Sequence, residues 1–252
     1  MTRKHVNRII AVATPILLLA AWELAARTNA IDTRFFSSPS AIFEEFFSMA
    51  RSGALWTHTE ASLVRVLVGF AIGTIVGVVL GLAIGLFPTA AAIFEPLVNA
   101  TFPIPKVGLL PLVIILFGLG EASKYAIIAI AVVYLVLINT VSGVRTIDRI
   151  YLDVGRNYHA GKLMMFTDVA LPGALPMIMA GMKISMGVSL IIIVTAESLA
   201  AKSGIGYLIW TSWQVFEVEK MYVGLFVSAI LGFGLALLLD WTERLLVPWK
   251  RR

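Results

Sequence analysis

VLVGFAIGTIVGVVLGLAIGL, residues 66–86, runs the thickness of a bilayer without one charged side chain. An α-helix rises about 1.5 Å per residue, so roughly 20 apolar residues cross a hydrocarbon core while every backbone N–H finds a carbonyl inside the helix. The stretch reads as a membrane span, with its limits at 64–86. Gly69, Gly73, Gly77, Gly81 and Gly85 recur at every fourth position along it, which stacks them on one slowly drifting helix face. Small residues at that spacing let a second backbone come close, where dispersion replaces the missing hydrophobic drive. The face is expected to be a helix–helix seam; a glycine-lined conduit is the alternative.

The rest of the chain has the same character. Of its 252 residues, 59% are hydrophobic and 14% charged, against roughly 45–50% and about 25% in ordinary globular domains. Further spans are predicted over 9–26, 90–119, 125–141, 175–199 and 223–246. The expected fold is an all-α, polytopic transmembrane helical bundle of about six spans. The first span follows Arg3, Lys4 and Arg8, as a signal peptide would, but it runs into Trp22-Glu23 with no small-x-small cleavage site, so an uncleaved helix is the reading. Between the first two spans, residues 27–60 are mixed and polar. A surface helix over 42–50, with Phe43, Phe46 and Phe47 beside Glu44 and Glu45, is expected to lie on the interface. Residues 1–59 thus form an N-terminal span with an extracytoplasmic interfacial segment, and residues 60–252 the main membrane domain.

Charge and composition exclude several functions. The chain carries a net charge of +5, but its basic residues sit at span ends and in short loops, where topology accounts for them better than nucleic acid does. There is no cysteine, and His5, His58 and His159 are far apart, so neither a metal site nor a cofactor is indicated. No nucleophile with a base and no paired carboxylates can be assembled, which leaves no catalytic residues to assign. By the positive-inside rule both termini face the cytoplasm, the C-terminus with Lys250, Arg251 and Arg252. The loop over 143–172, with Arg145, Arg149, Arg156 and Lys162, then also faces the cytoplasm.

Two groups of residues stand out within the spans. Pro103, Pro105 and Pro111, with Lys106 among them, interrupt the third span. Proline removes a backbone donor, and broken spans mark transport paths where protein or water covers the irregular backbone. The other reading puts FPIPK at a membrane edge. Glu121 with Lys124, and Glu197 with Lys202, lie near span ends; intramembrane carboxylates are candidates for a translocation path.

The long loop contains DVGRNYHAGKLMMFTDVALP, residues 153–172. Its Gly-Lys is not a phosphate-binding loop. Gly155 and Gly161 enclose five residues instead of the four that such a loop needs, and Leu163, without a hydroxyl, follows Lys162. Two short helices, over 149–158 and 162–170, are predicted on either side of His159-Ala160-Gly161. A helix–bend–helix of this kind, joined to two spans, can transmit force from a soluble partner.

This segment resembles the EAA loop of ABC importer permeases: roughly Glu-Ala-Ala, three residues, Gly, about nine more, then an apolar residue and Leu-Pro. Asp153-Val154-Gly155 take the first three positions, His159 the glycine, and Leu171-Pro172 the end. Other stretches resemble the nitrate, sulfonate and taurine branch: SLVRVLVGF from Ser62, FPIPKVGLLPL from Phe102, LFGLGEASK from Leu116, NTVSGV from Asn139, AESLAAKSGIGYLI from Ala196 and the closing LLVPWKRR. The resemblance covers about residues 60–249. It implies a type I importer permease in a bacterial inner membrane, working with two cytoplasmic ATPases, an extracytoplasmic binding protein and a second permease copy. It also implies that Asp153, Gly155, Tyr158, His159, Ala160, Gly161 and Lys162 belong to the ATPase-coupling element, and that the solute is a small anion such as nitrate, a sulfonate or taurine. Asp153, Gly155 and His159 depart from the pattern. With histidine in place of glycine, either Gly161 makes the bend or the helix continues through His159. Without the resemblance, the spans alone also fit a secondary transporter or channel not driven by ATP.

Overall fold

The computed structural model describes residues 3–249; Lys250, Arg251 and Arg252 lie outside the described residues, as do the side chains of Arg3, Lys4, Arg8, Arg149 and Arg156. In chain order the helices are α1 Arg3–Arg27, α2 Pro39–Ser52, α3 Ala54–Leu86, α4 Pro88–Thr101, α5 Leu110–Phe117, α6 Glu121–Arg145, α7 Arg149–Asn157, α8 Lys162–Met164, α9 Leu171–Ala200, α10 Ile205–Gln214 and α11 Val218–Leu246. Among the described residues there is no strand. Large apolar side chains such as Ile75, Ile115, Ile191 and Phe233 are exposed around the outside of the bundle. That is the surface of a protein whose solvent is lipid.

Helices α3 and α6 form the centre. A methyl group built on Gly69, Gly73 or Gly81 would lie 2.6 Å from the Cβ of Ile128, Val132 or Thr140 respectively, and one on Gly85 would lie 2.6 Å from that of Val144. Both chains advance together along this contact, so the two helices run parallel, and the glycine face is closed by α6. Helix α9 runs antiparallel to α6 on its other side, with Gly181 against Asn139 and Gly143 against Ala174 and Met177. Helix α11 packs outside α9, Gly232 against Leu190.

Two parallel neighbours need a return crossing between them, and α4 with α5 supplies it. Glu95 pairs with Arg145 at one end of α6, Thr101 accepts a hydrogen bond from the Tyr134 hydroxyl halfway along (2.8 Å), and Leu110 and Val113 join Ile127 and Ile128 in the core nearer its start. The pair bends by 93° over residues between Thr101 and Lys106. The proline motif therefore sits midway along α6, beside Tyr134, where the two helices form either a broken span or a re-entrant loop.

Other boundaries shift as well. Helix α3 begins ten residues before the predicted start of the second span, and Thr57, His58 and Ser62 of its first turns have hydrogen-bond partners inside the protein. Gly53, at φ +81°, turns the chain between α2 and α3, a left-handed conformation that glycine adopts without steric cost. Helix α2 is capped by the Ser38 hydroxyl, which accepts from the Ala41 N–H at 3.2 Å, with Pro39 in its first turn. It lays Phe43 and Phe46 against Phe226 and buries Met49 among Leu55, Val223 and Val227. The predicted break between the second loop helix and the fifth span is absent: α8, a π-helical turn over Met165–Ala170 and α9 form one helical stretch, Lys162–Ala200. The wide turn comes just ahead of Pro172, which has no N–H to give the helical ladder.

The seam gives the first prediction. Gly77→Leu forces a side chain into the space held by Val136 and the Val133 carbonyl, at a cost of about 1–3 kcal/mol for overpacking. Val79 is 49% exposed, and Val79→Leu should be nearly neutral. Thermal unfolding of the two variants in mild detergent checks this, and equal midpoints would contradict the seam.

Candidate functional site

Two places bring together the residues singled out in the sequence, one at each end of the bundle. At the end where α3 and α6 begin and α9 stops, Arg65 is buried in α3. A charge there is costly unless paired and fully hydrogen-bonded. Its Nε and one terminal nitrogen donate to the two oxygens of Glu121 at 2.6 and 2.7 Å. The other terminal nitrogen donates to Glu197 at 2.7 Å and to the Ser203 carbonyl at 2.6 Å. The planar fork of arginine suits this double recognition, and lysine could not reproduce it.

Glu197 is fully buried. Besides Arg65 it accepts from the Ser62 hydroxyl at 2.8 Å and from the Gly206 N–H at 2.9 Å. The Ser62 hydroxyl in turn accepts from the Ile205 N–H at 2.8 Å, and His58 Nδ1 accepts from the Gly204 N–H at 3.1 Å. The segment after α9 thus folds back onto the carboxylate. Gly204 has φ +116° and the Glu197 carboxylate fills the space a side chain would take, while a methyl on Gly206 would collide with the Val194 carbonyl. Both glycines in SGIG are required by this close approach.

The sequence paired Glu197 with Lys202, but Glu197 pairs with Arg65 and Lys202 is exposed. Glu121 does meet Lys124, at 3.6 Å, and Arg65 at shorter range. Arg65 is the organising residue; in the sequence it counted, with Lys106 and Lys124, only as a hint of an anionic solute and not among the path residues. Its signal was available: a lone arginine four residues before the first glycine of an otherwise uncharged span is an intramembrane charge in need of a partner.

Pro103 and Pro105 lie exposed in the bend between α4 and α5. There the Lys106 ammonium donates to the carbonyls of Thr101, Phe102 and Ile104 at 2.9–3.0 Å and sits 4.0 Å from the centre of the Tyr134 ring. Thr101 and Phe102 stand at the end of α4 and Ile104 in the bend beyond it, where carbonyls lack the donors of a continuing helix. Lysine closes the bend as a cap, with its charge further balanced over the aromatic face.

At the other end of the bundle, the loop between α6 and α9 is a helix–bend–helix. Asp153 and Gly155 lie on α7, with Gly155 buried beneath Met165. Tyr158 follows the last residue of α7 and is 83% exposed; Leu163 after the bend is 76% exposed. His159 itself makes the bend at φ +54°, and the Ala160 N–H closes the helix end onto the Gly155 carbonyl at 2.9 Å. Gly161 is extended, at φ −63° and ψ 164°, and Lys162 opens α8 directly after it. Both alternatives offered for this position are thereby corrected: the helix stops, and histidine occupies the left-handed position itself. Two clefts flank the loop. One, of about 590 Å³, is lined by Tyr151, Val154, Tyr158, Met164 and Trp249 among others; the second, of about 370 Å³, includes Lys162 and Arg145. Ala160 lines both. An exposed apolar surface with two adjoining clefts is suited to receive another protein.

Residues 69–252 match the family described as Binding-protein-dependent transport system inner membrane component. The chain is 34% identical, over 98% of its length and 94% of the relative's, to an Escherichia coli K12 permease named for the transport of aliphatic sulfonates, SsuC. It is 31% identical to the taurine transport system permease protein TauC of the same organism, over 95% of this chain and 89% of that one. Among solved structures, a chain of the MetNI methionine ABC transporter in an inward-facing conformation superposes with a TM-score of 0.61, at 18% identity, over 79% of this chain and 95% of that one. The last likeness is one of fold.

A non-glycine residue in the left-handed region is held there at a cost of about 1–2 kcal/mol. His159→Gly should relieve that strain and, net of the extra freedom glycine gives the unfolded loop, stabilise the bend by roughly 0.5–1 kcal/mol. Trypsin cleavage at Lys162 in detergent-solubilised protein reads the effect. Slower cleavage than wild type is expected, and faster cleavage would contradict the strained bend.

Proposed function

The chain belongs to the family of binding-protein-dependent transport system inner membrane components, and on that premise we propose that it is the membrane-spanning subunit of an ATP-driven importer for a small organic anion. ATP hydrolysis falls to a separate subunit that docks on the loop between α6 and α9. The observation that carries this reading is the exposed helix–bend–helix, with Tyr158 and Leu163 outward, joined without interruption to a membrane-crossing helix. A loop that served only to connect two spans would have no need of an apolar outer face, and such a face in water is costly unless a partner covers it.

In this reading the loop end faces the cytoplasm, in agreement with the basic residues Arg145 and Lys162 there. Asp153, Gly155, Tyr158, His159, Ala160, Gly161 and Lys162 form the contact with the ATPase. The stretch Lys162–Ala200 then acts as the lever that carries its motion into the membrane. A solute-binding protein delivers to the opposite end, and a second copy of the chain completes the path. The names of the two permease relatives support a sulfonate or a related small anion as the solute.

Ala160→Asp tests the docking surface. A carboxylate between the two clefts, desolvated on contact and without a partner, costs on the order of a few kcal/mol, which is enough to undo docking. The membrane helices lie outside the altered contact, so abundance and extraction should match wild type. The measurement is capture of the ATPase by solubilised permease, together with stimulation of ATP hydrolysis in the reconstituted complex. Wild-type stoichiometry and stimulation in the variant would overturn the assignment of this loop.

A further inference from the structure

The ion cluster at the far end of the bundle is asymmetric in exposure. Arg65 and Lys124 have side chains 5% and 3% exposed, Glu197 is wholly buried, and Glu121 is 48% exposed. Two buried cations thus face one buried carboxylate and one that reaches them from the surface. Glu197 is fixed by Arg65, Ser62 and Gly206, its bond from Arg65 coming from the terminal nitrogen that Glu121 does not use. Glu121 holds the outer side, its two oxygens matched to Nε and one terminal nitrogen of Arg65. The Lys124 ammonium is kept beside it by the carbonyls of Leu119 and Gly120, at 3.3 and 3.0 Å.

We propose that the outer edge of Arg65, with Lys124, is a receiving site for the monoanionic head of the transported solute, and that the Glu121 carboxylate is a built-in stand-in that the solute displaces. The inference rests on the import reading above for the side from which the solute arrives and for its anionic class. With Glu121 in place the four charges cancel. When it swings into water, one positive charge remains, and the vacated fork offers two parallel N–H donors with an ammonium beside them. Two oxygens of a sulfonate or carboxylate fit that fork as the Glu121 oxygens do. A side chain that is half in water gives up its hydration less completely than a buried one, so its exchange for an incoming anion replaces like with like. Displacement also frees α6 from α3 at this end, since Glu121 begins α6 and Arg65 lies on α3.

A competing intramolecular group raises the apparent dissociation constant by the factor to which it fills the site. A carboxylate that occupies the fork about nine-tenths of the time weakens binding roughly tenfold. Glu121→Gln keeps the shape and removes the charge. The experiment titrates methanesulfonate into the full chain in phosphatidylcholine nanodiscs, followed by tryptophan fluorescence, with dimethyl sulfone as the neutral control. Glu121→Gln should bind methanesulfonate about tenfold more tightly than wild type, and adding Lys124→Gln to that variant should reverse the gain. Glu217→Gln, which removes the same charge from the exposed pair with Lys220, should leave affinity unchanged. If Glu121→Gln does not yield folded protein, Glu121→Asp draws the carboxylate back by one methylene and should give a smaller gain. Affinity equal to or weaker than wild type in the Glu121 variants would overturn the proposal and leave Glu121 a structural tie; so would equal responses to methanesulfonate and dimethyl sulfone. Because no ATPase takes part, such a failure is separate from failure of the docking reading, which the Ala160→Asp capture reads.

Discussion

Five positions of α3 cannot carry even a methyl group, because α6 lies against their backbone. In lipid there is no hydrophobic force to drive two apolar helices together, so close approach of backbones, with the dispersion it allows, is what holds them. Much of the architecture follows from this contact. The two helices run parallel, and the intervening chain must cross back. That crossing is the proline-broken pair α4 and α5, whose open carbonyls Lys106 closes. The seam also sets the register at its end: one turn before Gly69 and Ile128 come Arg65 and Lys124, and Glu121 lies one turn earlier still. Steric fit along the middle of the helices thereby places the charges at their ends.

The two ends of the bundle are joined by one element. Lys162 beside the bend and Glu197 in the ion cluster both lie in the continuous helical stretch Lys162–Ala200, roughly 53 Å apart along it at ordinary helical rise. The π-helical turn before Pro172 and Pro176 inside α9 interrupt its regular hydrogen-bond ladder. The loop and Glu197 are thus connected by one helix, the route along which the proposed docking would act. The cluster has four charges, two of them buried cations, and it ties α9 to α3 through Glu197 and Arg65.

Much was legible in the sequence. Uncharged runs of about 20 residues dictate helices in lipid because an unpaired backbone group there has no alternative partner. The four-residue glycine spacing identified the seam face, since helical periodicity alone puts those positions together. The Gly155, His159 and Leu171-Pro172 pattern marked the loop. The spans and the seam are local consequences of spacing, whereas the loop pattern was read from the resemblance to importer permeases.

The partners were not legible. Glu197 lies near Lys202 in the chain, yet its charge is met by Arg65 from another helix, and the first turns of α3 look too polar for a span until Glu197 and the Gly204–Gly206 backbone close on them. At His159 the residue type argued for a bend elsewhere, whereas the surrounding helix ends hold histidine in a conformation that it would not choose alone. Sequence determines what is written in single-helix periodicity: that the chain crosses a membrane, which faces are smooth, and where the loop lies. Which charge neutralises which, and which residue bears the strain of a turn, depends on groups brought together from distant segments. Only the packed structure decides that, because in a low-dielectric interior a charge is satisfied by whichever partner geometry brings within about 3 Å.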